Sequence, residues 1–244
     1  MRSLLAAFTF LTRLPFLPAR RVREEDLARS MVWFPIVGLF LGGAVAGTAH
    51  GLAGHLRPDL VGALCVALLA LLTGGLHLDG LADVFDGLGG GRGDRERTLA
   101  IMRDSRTGPH GASAVTLLLI VKVLATAAVV DGRELATLAI VPVVARSLVV
   151  LLMVAFPYAR TEGIALPFRG AWSAAQLAAA LAMAAAAVAW AGRPAYVPAA
   201  CAALLALGLG VRMARKLGGL TGDVYGAAIE IAETGFIAAA CWSS

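Results

Sequence analysis

Long runs of apolar residues constrain this chain more than any other feature of its sequence. A segment that crosses a lipid bilayer as an α-helix needs about 20 mostly apolar residues. Such runs recur along the chain, and only 15% of its 244 residues are charged. Seven of them are predicted to be transmembrane helices, roughly over residues 31–54, 60–77, 112–130, 135–156, 172–191, 196–211 and 224–242.

The chain is therefore predicted to be all-α, a polytopic membrane helix bundle in which residues 1–244 form one integral membrane domain. The apolar stretch over residues 4–14 is too short to cross a bilayer, so we expect a helix that lies at the membrane interface. The net charge of +5 is explained by membrane topology and by anionic small-molecule partners, so the bilayer is an expected partner and nucleic acid is not.

Basic residues predict the orientation of the bundle, because Lys and Arg accumulate in cytoplasmic loops. With seven spans, sixteen basic residues fall on one side and only Arg57, Arg133 and Arg193 on the other. The first side holds the N-terminus, which places the N-terminus in the cytoplasm and the C-terminus outside. The motifs described below lie on or just inside this cytoplasmic side of what is predicted to be the inner membrane.

Three aspartates lie at the end of the second predicted span. Asp79, Asp83 and Asp86 have the spacing i, i+4, i+7, which places them within a sector of about 60° on a helix. Three carboxylates on one face repel one another unless a cation lies between them, and oxygen ligands favour Mg²⁺ or Mn²⁺. His77 either joins these ligands or makes a hydrogen bond at the helix end. The alternative for the aspartates is a solvated helix end.

A glycine-rich and arginine-rich segment follows. Residues 87–93 read GLGGGRG, and five arginines lie in or after this stretch: Arg92, Arg95, Arg97, Arg103 and Arg106. Arginine binds phosphate in a bidentate manner, and flexible glycine backbone can bring N–H groups to phosphate oxygens. A carboxylate cluster beside an arginine cluster is the combination that a nucleotide-diphosphate site needs. The arginines could instead reflect the accumulation of basic residues in cytoplasmic loops. The glycines could instead form a plain turn.

A second acidic group lies near the C-terminus. Asp223, Glu230 and Glu233 share one helix face, and the two glutamates fall inside the last predicted span. Ionisable residues inside a membrane span are functional candidates by default. An ion pair with Lys122 or Arg146 that holds the bundle together is the competing explanation.

Six segments together resemble the cobalamin synthase family (adenosylcobinamide-GDP ribazoletransferase). They read FLTRLP at residues 10–15, FPIVGL at 34–39, GGLHLDGLADVFDG at 74–87, IMRDSRTGPHG at 101–111, YAR then EG at 158–163, and GGLTGDVYGAAIEIAE at 218–233. They occur in the order of that family and span nearly the whole chain. Lys122 and Arg146 also fall where that family carries basic residues within the membrane.

The resemblance implies an enzyme that joins adenosylcobinamide-GDP to α-ribazole, or to its 5′-phosphate, and releases GMP with a requirement for Mg²⁺. On the matching motifs, Asp79, Asp83 and Asp86 are the expected metal ligands. Asp83, Asp86 or Glu230 is the expected catalytic base. The expected substrate and phosphate contacts are Arg92, Arg103, Asp104, Ser105, Arg106, Lys122, Arg146, Arg160 and Asp223. The sequence leaves open whether the chain forms a homo-oligomer or associates with other cobalamin-assembly enzymes.

Two other functions are compatible with parts of the sequence. CDP-alcohol phosphotransferases also use an aspartate-rich helix end, but their D-x₂-D-G-x₂-A-R pattern is absent here. A cation- or proton-coupled transporter could use Lys122, Arg146, Glu230 and Glu233 as a relay. Most of the charge lies on the cytoplasmic side, which favours an enzyme, and turnover in detergent without a gradient would separate the two.

Overall fold

The computed structural model describes residues 1–14, 23–132, 134–163, 165–170 and 172–242. Pro15, which ends the FLTRLP motif, and the basic residues Arg20, Arg21 and Arg133 lie outside these ranges. Within them the regular secondary structure is helical, and two isolated β-bridges are the only extended pairing. The prediction of an all-α fold is confirmed.

The described residues contain eleven α-helices, of which six are 18 residues or longer and the others are shorter. Three short 3₁₀ helices lie between them, at Arg29–Trp33, Leu166–Phe168 and Arg193–Ala195. The α-helices are α1 (Arg2–Leu11), α2 (Glu24–Ala28), α3 (Phe34–Leu52), α4 (Pro58–Thr73), α5 (Leu76–Gly90), α6 (Arg95–Ile101), α7 (Pro109–Asp131), α8 (Leu135–Ala155), α9 (Ala174–Ala191), α10 (Tyr196–Leu217) and α11 (Gly222–Ala240).

Five helical segments of the described chain are long and apolar enough to cross a membrane: those that contain α3, α7, α8, α9 and α10. Helices α4 and α5 meet at a bend of 90° and make a sixth crossing only if the pair counts as one span. The prediction of seven spans is therefore too high. The last predicted span corresponds to α11. Every stretch of 18 residues in α11 contains Asp223, Glu230 and Glu233, which is too much charge for an apolar span.

Helix α11 lies in the middle of the bundle and packs against α5, α7, α8 and α10. Most of its side chains are buried, including Glu230 and Glu233. Because protein rather than lipid surrounds this helix, its carboxylates can be neutralised by neighbouring side chains. Small residues allow the same close packing elsewhere, since a Cβ at Gly38 or Gly42 of α3 would collide with the backbone of α8.

The apolar helix α1 is ten residues long and therefore too short to cross a bilayer. Ala6, Ala7 and Leu11 form its buried face. The opposite face carries exposed residues such as Leu5. One-sided burial is consistent with the predicted position at the membrane interface, which stays a prediction.

The sharp bend between α4 and α5 depends on two glycines. Gly74 ends α4 with φ +63°, and Gly75 precedes α5 with φ +69°. Both values lie in the left-handed region, which glycine adopts without the steric strain that a side chain would cause. The bend turns α5 across the end of α4 and lays it against α11.

Candidate active site

The three aspartates of α5 differ in their surroundings. Asp79 is exposed, Asp83 is half-buried and Asp86 is buried. Apolar residues between them, among which Leu81 and Val84 are fully buried, hold the other side of α5 against the bundle. The predicted helix face exists, but only Asp79 and Asp83 lie where solvent or a ligand can reach them.

A close approach of α5 to α11 brings a fourth carboxylate to this face. A Cβ added to Gly80 would lie 2.7 Å from the backbone oxygen of Asp223, so only glycine permits the contact. Asp83 then lies within electrostatic range of Asp79, Asp86 and Asp223. The acidic cluster, by which we mean Asp79, Asp83 and Asp223, therefore combines two segments that are about 140 residues apart in the sequence.

Arg160 pairs with this cluster. The guanidinium Nη2 of Arg160 lies 2.7 Å from Oδ2 of Asp223, and both side chains are largely buried. Backbone pairing fixes this arrangement, because the Ala159 N–H donates to the Leu220 carbonyl at 2.8 Å and the Leu220 N–H donates to the Pro157 carbonyl at 2.8 Å. Backbone hydrogen bonds thus join the YAR motif to the motif at residues 218–233. The first supplies the cation that pairs with the carboxylate of the second.

Asp86 has a different environment from the other two aspartates of α5. Its carboxylate accepts hydrogen bonds from the backbone N–H groups of Gly108, at 2.7 Å, and Gly111, at 2.8 Å. These glycines lie at the start of α7, where backbone N–H groups lack helical partners and favour a negative charge. Asp86 therefore caps α7 and ties it to α5. The metal and catalytic roles expected of Asp86 stay predictions, but both of its oxygens already have partners.

Replacing Asp86 with alanine is expected to destabilise the protein by about 2–3 kcal/mol, because two N–H groups lose a charged acceptor. Asp86→Asn retains one acceptor oxygen and should lose roughly half as much. The measurement is thermal unfolding of both variants in detergent. An Asp86→Ala protein that unfolds like the wild type yet has no activity would contradict the capping role.

The arginine-rich segment lies at the surface beside the cluster. Arg92, Arg103 and Arg106 are exposed, as is Ser105. Arg106 pairs with Asp104 at 2.6 Å, and this hydrogen-bonded guanidinium lowers the pKa of Asp104 to about 2. The Met102 carbonyl, within this segment, accepts a hydrogen bond from Nη2 of Arg160 at 3.4 Å. The segment is thereby held next to the acidic cluster, with guanidinium groups available to an anion.

Glu230, Lys122 and Arg146 occupy a separate position, inside the bundle. Lys122 Nζ lies 2.8 Å from Glu230 Oε2 and 2.6 Å from Glu233 Oε2, and Arg146 also pairs with Glu233. All four residues are buried, with an exposed fraction of 5% or less. Glu230 lies about 10 Å further along α11 than Asp223. The catalytic and phosphate-binding roles expected of Glu230, Lys122 and Arg146 stay predictions, while the geometry favours a neutral ion-pair network that stabilises the bundle.

His77 is buried, with 3% exposure, and neither ring nitrogen has a hydrogen-bond partner among the described residues. The hydrogen bond expected at the helix end is therefore not present there. His77 lines a cavity of about 50 Å³ whose other polar lining includes Asp79, Asp223 and Tyr225. A cavity of this size has room for a water molecule, which would hydrogen-bond to the imidazole.

The acidic cluster offers two neighbouring carboxylates to a cation. Asp79 and Asp83 are one helical turn apart, and Arg160 is the one cation that pairs with the cluster's carboxylates in the described part of the chain. No three His, Cys, Asp or Glu side chains of the described residues are already arranged to bind a metal. Mg²⁺ is commonly held by one or two carboxylates together with substrate phosphates. Asp79 and Asp83 fit that mode.

The family comparisons agree with one another. The family model described as cobalamin-5-phosphate synthase matches residues 3–241. An adenosylcobinamide-GDP ribazoletransferase of Klebsiella pneumoniae is 42% identical over 98% of this chain and 99% of its own length. Proteins with the same name from Syntrophobacter fumaroxidans (43% identical, 96% of each chain) and Novosphingobium aromaticivorans (41% identical, 97% of this chain and 95% of its own) match similarly. No solved structure matches this one.

Proposed function

Since the chain belongs to the cobalamin-5-phosphate synthase family, we propose that it catalyses the reaction for which its relatives are named. It would join adenosylcobinamide-GDP to α-ribazole or α-ribazole 5′-phosphate and release GMP. The observation that carries this proposal within the structure is the acidic cluster with Arg160, held beside the exposed arginines of residues 92–106. Carboxylates for a cation next to guanidinium groups for phosphate suit a diphosphate substrate.

The reaction is a displacement at phosphorus. The ribose 3′-hydroxyl oxygen of α-ribazole forms a bond to the cobinamide-linked phosphorus, and the bond from that phosphorus to the oxygen of GMP breaks. GMP leaves with the bonding electrons, and the hydroxyl proton passes to a base. Positioning and electrostatic stabilisation supply most of the catalysis in such transfers. The exposed Arg103 and Arg106 would bind phosphate oxygens, since guanidinium groups match their geometry.

Asp223 is the base that the geometry favours. Asp86 already accepts two backbone N–H groups, and Glu230 is paired with Lys122 inside the bundle. Asp223 is held by Arg160 and by the Thr221 hydroxyl, and both contacts involve its Oδ2. Oδ1 is therefore the oxygen that remains for the substrate hydroxyl.

We further propose that Asp79 and Asp83 hold Mg²⁺ together with oxygens of the diphosphate. When bound, the ion would neutralise the diphosphate and stabilise the negative charge of the departing GMP. The cytoplasm supplies both nucleotide and Mg²⁺. The proposed site accordingly faces the cytoplasm from the inner membrane, as the distribution of basic residues predicts.

Removal of divalent ions with EDTA is expected to abolish GMP release, and added Mg²⁺ should restore it. Asp79→Asn should raise the Mg²⁺ concentration for half-maximal activity by about tenfold, because one anionic ligand becomes a neutral amide. The measurement is initial GMP release in detergent against Mg²⁺ concentration. Full activity in EDTA, or an Asp79→Asn titration that matches the wild type, would contradict a metal site at α5.

A further inference from the structure

A second cavity lies next to the acidic cluster, where α8 ends. Its volume is about 360 Å³, which lies within the range of small-molecule pockets. The end of α8, the segment that follows it, residues of the range 165–170, Trp172 and Tyr225 of α11 surround it. Five aromatic side chains line it: Phe156, Tyr158, Phe168, Trp172 and Tyr225.

The lining is suited to an apolar aromatic ring. Besides the aromatic side chains it includes Met153, Val154 and Pro157, and among the described residues it contains no aspartate or glutamate. Aromatic side chains bind planar bases by stacking. Arg169 is the one charged residue that the described chain contributes to this lining, and it is exposed. The cavity thus combines an aromatic wall with a single cation that solvent can reach.

The cavity and the proposed site of reaction share a lining residue. Tyr225 lines both this cavity and the smaller one that His77, Asp79 and Asp223 line. Tyr158 lies two residues before Arg160, the partner of Asp223. A ring bound in the larger cavity would therefore have its attached sugar close to Asp223.

We propose that this cavity binds the dimethylbenzimidazole ring of α-ribazole, and that Arg169 binds the 5′-phosphate when the phosphorylated substrate is used. The inference rests on the proposed function and extends it to the acceptor substrate. The ring has two methyl groups and no exocyclic donor, so stacking on the aromatic side chains of the lining is enough to hold it. Guanine, the other base in the reaction, has several N–H donors that a carboxylate pairs with best, and the described lining has no carboxylate.

The first test is Trp172→Ala, with Trp190→Ala as the matched control because Trp190 is exposed on α9 and outside this cavity. Loss of one stacking partner should raise the KM for α-ribazole about tenfold. The KM for adenosylcobinamide-GDP should change less than about twofold, as should both values in Trp190→Ala. A raised KM for adenosylcobinamide-GDP instead would assign the cavity to guanine and overturn the proposal.

The second test is Arg169→Gln, assayed with α-ribazole and with α-ribazole 5′-phosphate. The KM for the phosphorylated form should rise about tenfold, since a charge-assisted contact is lost, while that for α-ribazole should stay within about twofold. Wild-type KM values in both variants would overturn the cavity assignment and leave the proposed function standing. Absence of GMP release by the wild-type protein would instead overturn the proposed function.

Discussion

Asp83→Asn is expected to reduce GMP release by about 100-fold to 1000-fold without unfolding the protein. Asp83 lies on the reachable face of α5, within electrostatic range of Asp79 and Asp223. The substitution preserves the shape of the side chain but removes the negative charge that the proposed cation needs. The measurement is the initial rate of GMP release by purified protein in detergent, together with thermal unfolding.

Asp59→Asn is the matched control for this variant. Asp59 is also an aspartate near a helix end, but it lies at the start of α4, pairs with Arg57 and is exposed. Its loss should leave the rate unchanged within about twofold. If the Asp83→Asn protein releases GMP as fast as the Asp59→Asn protein does, the acidic cluster is not the site of reaction.

The second large effect concerns stability. Glu233→Gln is expected to destabilise the protein by about 3–5 kcal/mol, because it leaves the buried cations Lys122 and Arg146 with one carboxylate between them. Glu233 has 0% exposure, so water cannot reach and solvate the cations that lose their carboxylate partner. The measurement is thermal unfolding in detergent, followed by size-exclusion chromatography.

The double variant Lys122→Met, Glu233→Gln tests the reason for that loss. It returns the network to net neutrality, but Arg146 and Glu230 lose their direct partners, so it should recover only part of the lost stability. Activity should return with stability if these residues only hold the bundle together. A double variant that is as stable as the wild type but has lost GMP release would show that Lys122 or Glu233 takes part in the reaction.

The helices could be predicted from the sequence, because a bilayer imposes a length and an apolar composition on each span. Every predicted span corresponds to a described helix, with ends that differ by a few residues. The number of crossings could not be predicted as well. The break at Gly74 and Gly75 divides one apolar region into two helices at 90°, and α11 is central enough to carry three carboxylates.

The residue types of the site could also be predicted, but not which of them meet. The spacing along α5 predicted that Asp79, Asp83 and Asp86 share one face. The carboxylate of Asp86, however, accepts hydrogen bonds from backbone N–H groups at the N-terminus of α7. The contact of Arg160 with Asp223 depends on backbone pairing between two distant segments. Helix periodicity contains no information on such long-range contacts. Glycines are the local signals of these close approaches: Gly80 lies where α5 meets α11, and Gly219 lies where the segment before α11 pairs with residues 157–159.

The most direct test is GMP release by the purified wild-type protein in detergent, supplied with adenosylcobinamide-GDP, α-ribazole and Mg²⁺ and with no ion gradient. We expect GMP to form in proportion to the corrinoid product, to require both substrates and to stop when Mg²⁺ is removed. A folded protein that releases no GMP under these conditions would contradict the proposed function.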